Sequence, residues 1–587
     1  GSGNGQISNW TIDSSQFLSN DNADASAFGG GIWLKTGGAG SAISGFTVTN
    51  SIFADNGSSN TLNQVGITVR ARPGTTMNGV NICNNTFEET AAPGTQLTGI
   101  NVFDDTANTG YEPIAVCASN TFSGLGHSIS GLEQHNSRGT QPVVNITGGA
   151  IANTEYINTP VIRVRDNAQF ATIGQAMNDA GTMAGDEIHA PAGFYRENVT
   201  VTHNGMTLSG DGASTVIDGV GLSGSGVTIP NGETGVTLHD FTVQNFTAIG
   251  TSSGACIYGA LSNSDTAIRN TTVANCAGGR GGIFLSAGAA IDNVTIDNND
   301  VSQTDGRGIV IWDGQKTHIA ITNNHVHDLT GCCGIELQDG SASGVTVTGN
   351  TVENTGDSGV AFVQLTSGAG PNLISGNTIV NTGRFGMEVK IPNGTGLASG
   401  DGSIVVENNT VTAGATAANL HDRAGIAVVR RSYSPAYPFE VDATNGVIVR
   451  NNMVNGWQPV SGSPNDGFGI VVEGTNSQVY GNTVNGNGIG IQLQSGNDPG
   501  SLPGDSDQNA MDAFFSRGNA PASCVDLGSN TFNGNGTDSR SETNPSGINI
   551  AADVHDTTNG TFFCSIQSAI SAATTSPGDT LVADPGS

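Results

Sequence analysis

Lysine is almost missing from this 587-residue chain: Lys35, Lys316 and Lys390 are the whole complement. With 19 basic residues against 50 acidic ones, the formal charge is −31. Such a surface repels nucleic acid and anionic membranes, so neither is expected as a partner. No run is long and apolar enough to insert in a membrane. Aromatic residues make up 5% of the chain, too few for a bulky globular core. CxxC pairs and Cys/His clusters of zinc spacing are missing, so no metal and no cofactor are expected. An export signal is missing too, but the chain begins in mid-pattern, so this says nothing about secretion.

What is abundant is glycine, at 86 residues, together with Asn, Thr, Ser and Val. Val and Ile recur with period two inside short segments bounded by turn residues, the pattern of many short strands. Eight cysteines, an even number, fit disulfides in an oxidising compartment. Cys332 and Cys333 are adjacent, and either a vicinal disulfide or two buried thiols fits. Cys83 and Cys117 fall on neighbouring repeats at positions read as opposite in parity. Cys524 and Cys564 each lack a nearer partner and are the expected disulfide.

A unit of the form V-x-I-x-N-N-x-V, a short turn, then G-I-x-V recurs along the chain. It reads NVTIDNNDVSQTDGRGIVIW from Asn293 and HIAITNNHVHDLTGCCGIEL from His318. The second Asn of each copy marks a column: Asn299, Asn324, Asn350, Asn377, Asn409, Asn452, Asn482 and Asn530. The tightest spacings, 25 to 27 residues, suit one turn of a three-sheeted coil. Alternating apolar residues then point inward, and the Asn side chains can hydrogen-bond from rung to rung. The expected fold is all-β: a right-handed parallel β-helix solenoid in tandem modules.

The segment FATIGQAMNDAGTMAGDEIHAPAGFYRENVTV (170–201) reads as the start of such a coil. Ile173, Ala176, Met177 and Ala180 are spaced for one face of a short amphipathic helix, and Gly185-Asp186 turns into the first strands. It resembles the opening of pectin-lyase-like β-helices of the carbohydrate-binding-and-sugar-hydrolase type, where a short helix precedes a P-G-D turn and a P-G-x-Y segment. The resemblance implies the coil and says little of activity. The same opening recurs as FCSIQSAISAATTSPGDTLVADPGS (563–587), without a gap, at an offset of 393. Residues 1–165 carry rungs of the late type, around Ser15, Ser51, Asn85 and Asn120, and no opening. The organisation read from this is the tail of one module (1–165), one complete module with its capping helix (166–558), and the start of a third (559–587).

Positions just after each G-I step form a ribbon that should face outward, beside long insertions near 391–403, 412–423, 430–446 and 455–466. If the chain is an enzyme, the groove candidates are Glu336 and Glu388, two rungs and so roughly 9.5 Å apart, near an inverting glycosidase pair. Lys390, Arg384 or Arg430 would neutralise a uronate or act as base. Against this, the ribbon reads as a solvated face, and the Asp cluster of calcium-dependent lyases and the NTD, DD and GHG signatures of polygalacturonases are missing. His325 and His327 are read as alternating across a strand, one out and one in, with no third metal ligand. The outward column Thr295, Ala320, Thr346, Leu373, Val405 and Ile448 is no regular Thr array, which excludes ice binding.

The leading expectation is therefore an extracellular or cell-surface structural protein, part of a tandem β-helix array or filament joined head to tail, covalently or by stacking of copies. The alternatives are a carbohydrate-active lyase or hydrolase, or an adhesin that binds glycans.

Overall fold

The computed structural model describes residues 5–20, 30–56, 65–72, 74–90, 96, 98–104, 112, 114–123, 125, 132–136, 144–147, 154–155, 161–170, 172–219, 222–247, 255–277, 280–363, 366–367, 372–390, 404–414, 423–429, 447–459, 467–473, 478–494, 524–525, 530–541, 554–558, 561–563, 566–571 and 575–583. Of the four insertions, 391–403 and 430–446 lie wholly outside these residues, and only margins of 412–423 and 455–466 fall among them. The chain divides into two compact units, residues 1–226 with 238–244, and residues 227–237 with 245–587.

The first unit opens with a coil of three parallel sheets. One runs from Gln6–Asp13 through Ala42–Thr49, Asn81–Cys83 and Ile114–Cys117 to Val144–Thr147. Inward side chains stack in register down the coil. Phe17, Phe53, Phe87 and Phe122 form one pile with ring centroids 4.8, 5.0 and 5.1 Å apart. The polar column beside it runs Ser15–Ser51–Asn85–Asn120, each backbone N–H donating to the next side-chain oxygen at 2.9–3.1 Å. Ala115 and Val116 pair with Asn81 and Ile82, which brings Cys117 level with Cys83, and the two form a disulfide. The opposite parity read from the sequence is thereby corrected; the strand register decides it.

The same unit contains the coil opening. Val161–Arg163 and Ala168–Phe170 form an antiparallel hairpin, followed by a helix, Ile173–Asn178, and the strand Glu187–Ala190. Thr172 caps the helix by accepting from the Gln175 N–H, and Ile173, Ala176 and Met177 are its buried face. Ala180 lies beyond its end. Arg163 holds the hairpin to the turn after the helix, donating to Asp166, Asp179 and Thr182. These bonds hold its guanidinium above the usual arginine range.

The second unit is the longer coil. Its first sheet runs from Ala267–Arg269 to Cys524–Val525, its second from Thr272–Ala274 to Thr531–Asn533, and its third from Val227–Ile229 to Thr537–Ser541. Rung pairs across them are parallel. Two columns of residues explain the N-N and G-I motifs. The first Asn of the pair adopts left-handed backbone (Asn298 φ +53°, Asn323 φ +54°, Asn408 φ +55°, Asn451 φ +54°), and Gly349, Gly376 and Gly481 replace it in other copies. This turn points the second Asn into the corner, where its amide bonds the next rung. Asn324 Nδ2 donates to Asn350 Oδ1 at 3.0 Å, Asn350 to Asn377 at 2.9 Å, and Asn377 to Asn409 at 2.9 Å. The column starts at Thr271, whose N–H donates to Asn299, and reaches Asn530. The glycine of the G-I step sits where a Cβ has no room: at Gly334 it would lie 2.3 Å from Val352 Cγ1 and 2.6 Å from the Gly359 carbonyl.

One interior column position is ionisable. Lys316 is fully buried between Ile291 and Ala342, and its ammonium donates to the carbonyls of Asp313, Gly314 and Asp339. Burial pushes its pKa down to about 7.

The opening recurs at the far end of this unit. Val554–Asp556 pairs antiparallel with Thr561–Phe563 and with Leu581–Ala583, around a helix, Ile566–Ser571. Shifted by the offset of 393, these strands and this helix overlie those that begin at Val161. Even single bonds repeat: Thr182 Oγ1 donates to the Ala176 carbonyl and Thr575 Oγ1 to Ala569, while Asp186 accepts from Met183 N–H and Asp579 from Ser576. The Arg163 network does not repeat, because Asp556 stands in the equivalent place.

Candidate functional site: the outer face of the third sheet

In the second unit, the register of the third sheet lines up Tyr258, Phe284, Val310, Glu336, Ala361, Glu388, Ala427, Val471 and Gln492, one per rung. From Val310 onward these are ribbon positions that the sequence pattern marks as outward and solvated. The residues of the column are outward, but all except Tyr258 are buried. The expectation of a solvated ribbon is corrected, and the reason is packing between neighbouring outer side chains. Ala255, Phe284 and Val310 cluster with Tyr258 and Trp312. The Cys332–Cys333 disulfide packs on Ala361 and Val363. Phe385, Ala424, Ala427, Phe468, Val471 and Ile489 form a third patch.

At the early end the patch carries guanidinium groups. Arg280 lies over the rings of Phe284 (4.7 Å) and Trp312 (5.4 Å), and Arg307 lies over Trp312 at 5.2 Å. Arg307 Nε also donates to Glu336. Tyr258, Arg280, Arg307 and Trp312 keep part of their surface in water, so rings, cations and one buried carboxylate form a strip that a ligand can reach.

The sequence-derived candidates separate in space and exposure. Glu336 is 3% exposed and Glu388 is 4% exposed, on either side of Ala361. Ser358 donates to Glu388 at 3.1 Å. Arg384 is half-buried, its guanidinium 5.0 Å from the Phe385 ring centroid. Lys390 ends the strand Phe385–Lys390, but its side chain, all of Arg430, and the side chains of Cys524 and Cys564 lie outside the described residues. Sequence reasoning missed Tyr258, Arg280, Phe284 and Arg307. Their signal is positional: Tyr258 and Phe284 occupy the ribbon column on earlier rungs, where the N-N motif is degenerate. Cys256 and Cys276 are joined by a disulfide beside them.

The reading of His325 and His327 is also corrected. Residues two apart on a strand share a face. Their rings stack on the outside of the second sheet with centroids 4.2 Å apart.

Three parallel sheets, rungs in register and inward columns of Asn, Val and Ile define a right-handed parallel β-helix protein. A family model described as a right-handed beta helix region matches residues 197–379. Among solved structures, the chain is similar to the catalytic domain of a GH87 α-1,3-glucanase in complex with tetrasaccharides. The identity there is 16%, with 65% of this chain and 66% of that one covered, at a TM-score of 0.42. It is also similar to the A-module of the mannuronan C-5 epimerase AlgE4 of Azotobacter vinelandii (14% identity, 63% and 91% covered, TM-score 0.32). A third is the DFA-IIIase of Arthrobacter chlorophenolicus in complex with GF2 (16% identity, 62% and 88% covered, TM-score 0.35). The chain thus spans 66% of the length of the glucanase domain it matches. A comparison with curated proteins finds no match.

Proposed function

We propose that this chain is part of a tandem β-helix protein of the cell exterior that binds glycans along the outer face of its third sheet. The observation that carries the reading is the partly exposed Tyr258 and Trp312, packed against the buried Phe284 between them and flanked by Arg280 and Arg307. Aromatic faces stack on the C–H faces of sugars, and guanidinium groups bind hydroxyls and carboxylates in a planar fork. Three described disulfides suit an oxidising exterior, and the repeated opening supports a modular array.

The buried state of Glu336 and Glu388 favours binding over cleavage, because an acid and a nucleophile must both reach the glycosidic oxygen and carbon. Among the described residues no carboxylate pairs with Arg280, which favours acidic sugars over neutral ones at that end. The test is titration of the chain with a hexameric oligouronate and, separately, a neutral hexameric oligoglucan. Saturable oligouronate binding that Trp312→Ala or Arg280→Ala weakens at least about tenfold is expected. No binding of either sugar, or binding that both variants leave unchanged, overturns the reading.

A further inference from the structure

On a different face, the second sheet brings together Asp300 from one rung with His325 and His327 from the next. One ligand atom from each lies within 4.8 Å of the other two. His325 Nδ1 is 3.3 Å from Asp300 Oδ2, and His327 Nε2 is 3.4 Å from Asp300 Oδ1. Charge-assisted hydrogen bonds close to about 2.7–2.9 Å. Here the two imidazoles meet different oxygens of Asp300 at longer range, and an ion held at roughly 2.0–2.1 Å, the bond length of zinc to imidazole nitrogen or carboxylate oxygen, would draw the three donors together from these positions.

The surroundings prepare one of the imidazoles for this role. His327 Nδ1 is 2.8 Å from Asp328 Oδ2, and Asp328 also accepts from Asn354 Nδ2 at 2.8 Å. An imidazole that donates Nδ1–H to a fixed carboxylate presents the Nε2 lone pair, here toward Asp300. That is the outer-shell arrangement that orients metal-binding histidines. Side-chain exposures of 46% for Asp300, 44% for His325 and 23% for His327 leave room for water at the remaining coordination position.

We propose that Asp300, His325 and His327 form a site for one divalent transition-metal ion, two neutral imidazoles and a carboxylate being a donor set suited to Zn2+, Cu2+ or Ni2+ and poor for Ca2+. The ion joins two successive rungs and staples the coil from outside. The test uses the intact chain freed of metal, titrated with Zn2+ by calorimetry, with Co2+ as a spectroscopic probe. One equivalent of Zn2+ should bind, Co2+ should give the intense visible bands of four-coordinate geometry, and Zn2+ should raise the melting temperature. His325→Ala/His327→Ala should abolish all three. Asp328→Asn should weaken Zn2+ binding about 10- to 100-fold. His318→Ala, at an exposed histidine paired with Asp292 outside the cluster, should change nothing. If the double variant binds Zn2+ as the parent does, or the parent binds none at 0.1 mM (about a hundredfold weaker than a micromolar site), the proposal is wrong.

Discussion

Replacing Asn350 with Ala removes one link from the middle of the amide column. The Asn350 side chain accepts from the Asn324 N–H at 2.9 Å and from Asn324 Nδ2 at 3.0 Å. It donates to the Ile321 carbonyl at 2.9 Å, to the Thr348 carbonyl at 3.2 Å and to Asn377 Oδ1 at 2.9 Å. Asn324, Asn350 and Asn377 are all about 1% exposed, so water does not replace these partners. The Asn324 N–H is left without an acceptor, and Asn324 Nδ2 keeps only the Ile296 carbonyl. The buried orphan costs about 1–3 kcal/mol, and each of the other lost bonds adds about 0.5–1.5 kcal/mol. Asn350→Ala should therefore destabilise the second unit by roughly 3–5 kcal/mol, read from urea unfolding. The control is Asn323→Gly, one rung earlier: that side chain is exposed, its φ is +54°, and Gly349 and Gly376 already hold the same turn. It should cost under about 1 kcal/mol. A loss below about 1 kcal/mol at Asn350, or equal losses at the two positions, refutes the claim that the inward amides hold the rungs together.

Three other perturbations follow from buried groups. Lys316, held near pKa 7 in the fold against an ordinary 10.5, binds its proton more weakly when folded, so stability should rise with pH across that window. Relative to Lys316→Met, the parent should gain about 2–3 kcal/mol between pH 7 and pH 9 in urea unfolding; equal slopes would contradict the burial argument. Gly334→Ala should cost about 3 kcal/mol by driving a Cβ into Val352 and the Gly359 carbonyl, and a melting temperature within a degree of the parent would count against it. Arg423 is 4% exposed, and among the described residues its guanidinium has, apart from the Trp457 ring at 5.1 Å, only the Thr382 carbonyl, at 3.4 Å; burial pushes its pKa down. Arg423→Met should leave stability unchanged or raise it by about 1 kcal/mol or more, and a clear loss would mean that the cation is held better than its neighbours imply.

The coil was legible because its signals are periodic. The spacing of the N-N pairs gives the rung length, and the positive φ of Asn298 or Asn323 is the local reason for the first Asn. The repeated opening was legible from Phe170 onward, whereas the hairpin strand Val161–Arg163 was not, because Arg163 in one copy and Asp556 in the other share no side-chain chemistry. Exposure was harder to read than direction. Alternation correctly turns Glu336 and Glu388 outward, but it cannot say that Arg307, Ser358 and the Cys332–Cys333 pair will cover that face. The aromatic strip was hidden for the same reason, since Tyr258 and Phe284 look like isolated rings until the register stacks them. The two histidines show the reverse failure: period two puts His325 and His327 on one face, and Asp300 joins them only through the pairing of neighbouring rungs.

Hydroxyl-radical footprinting of the indole rings tests glycan binding most directly, because the chain carries its own controls. It has four tryptophans: Trp312 lies in the strip, Trp457 is fully buried, and Trp10 and Trp33 are 61% and 42% exposed on the coil of the first unit. With saturating oligouronate, oxidation of Trp312 and Tyr258 should fall severalfold while Trp10 and Trp33 react as before. Unchanged labelling of Trp312, or protection of Trp10 and Trp33 in its place, would contradict a glycan-binding strip on the third sheet.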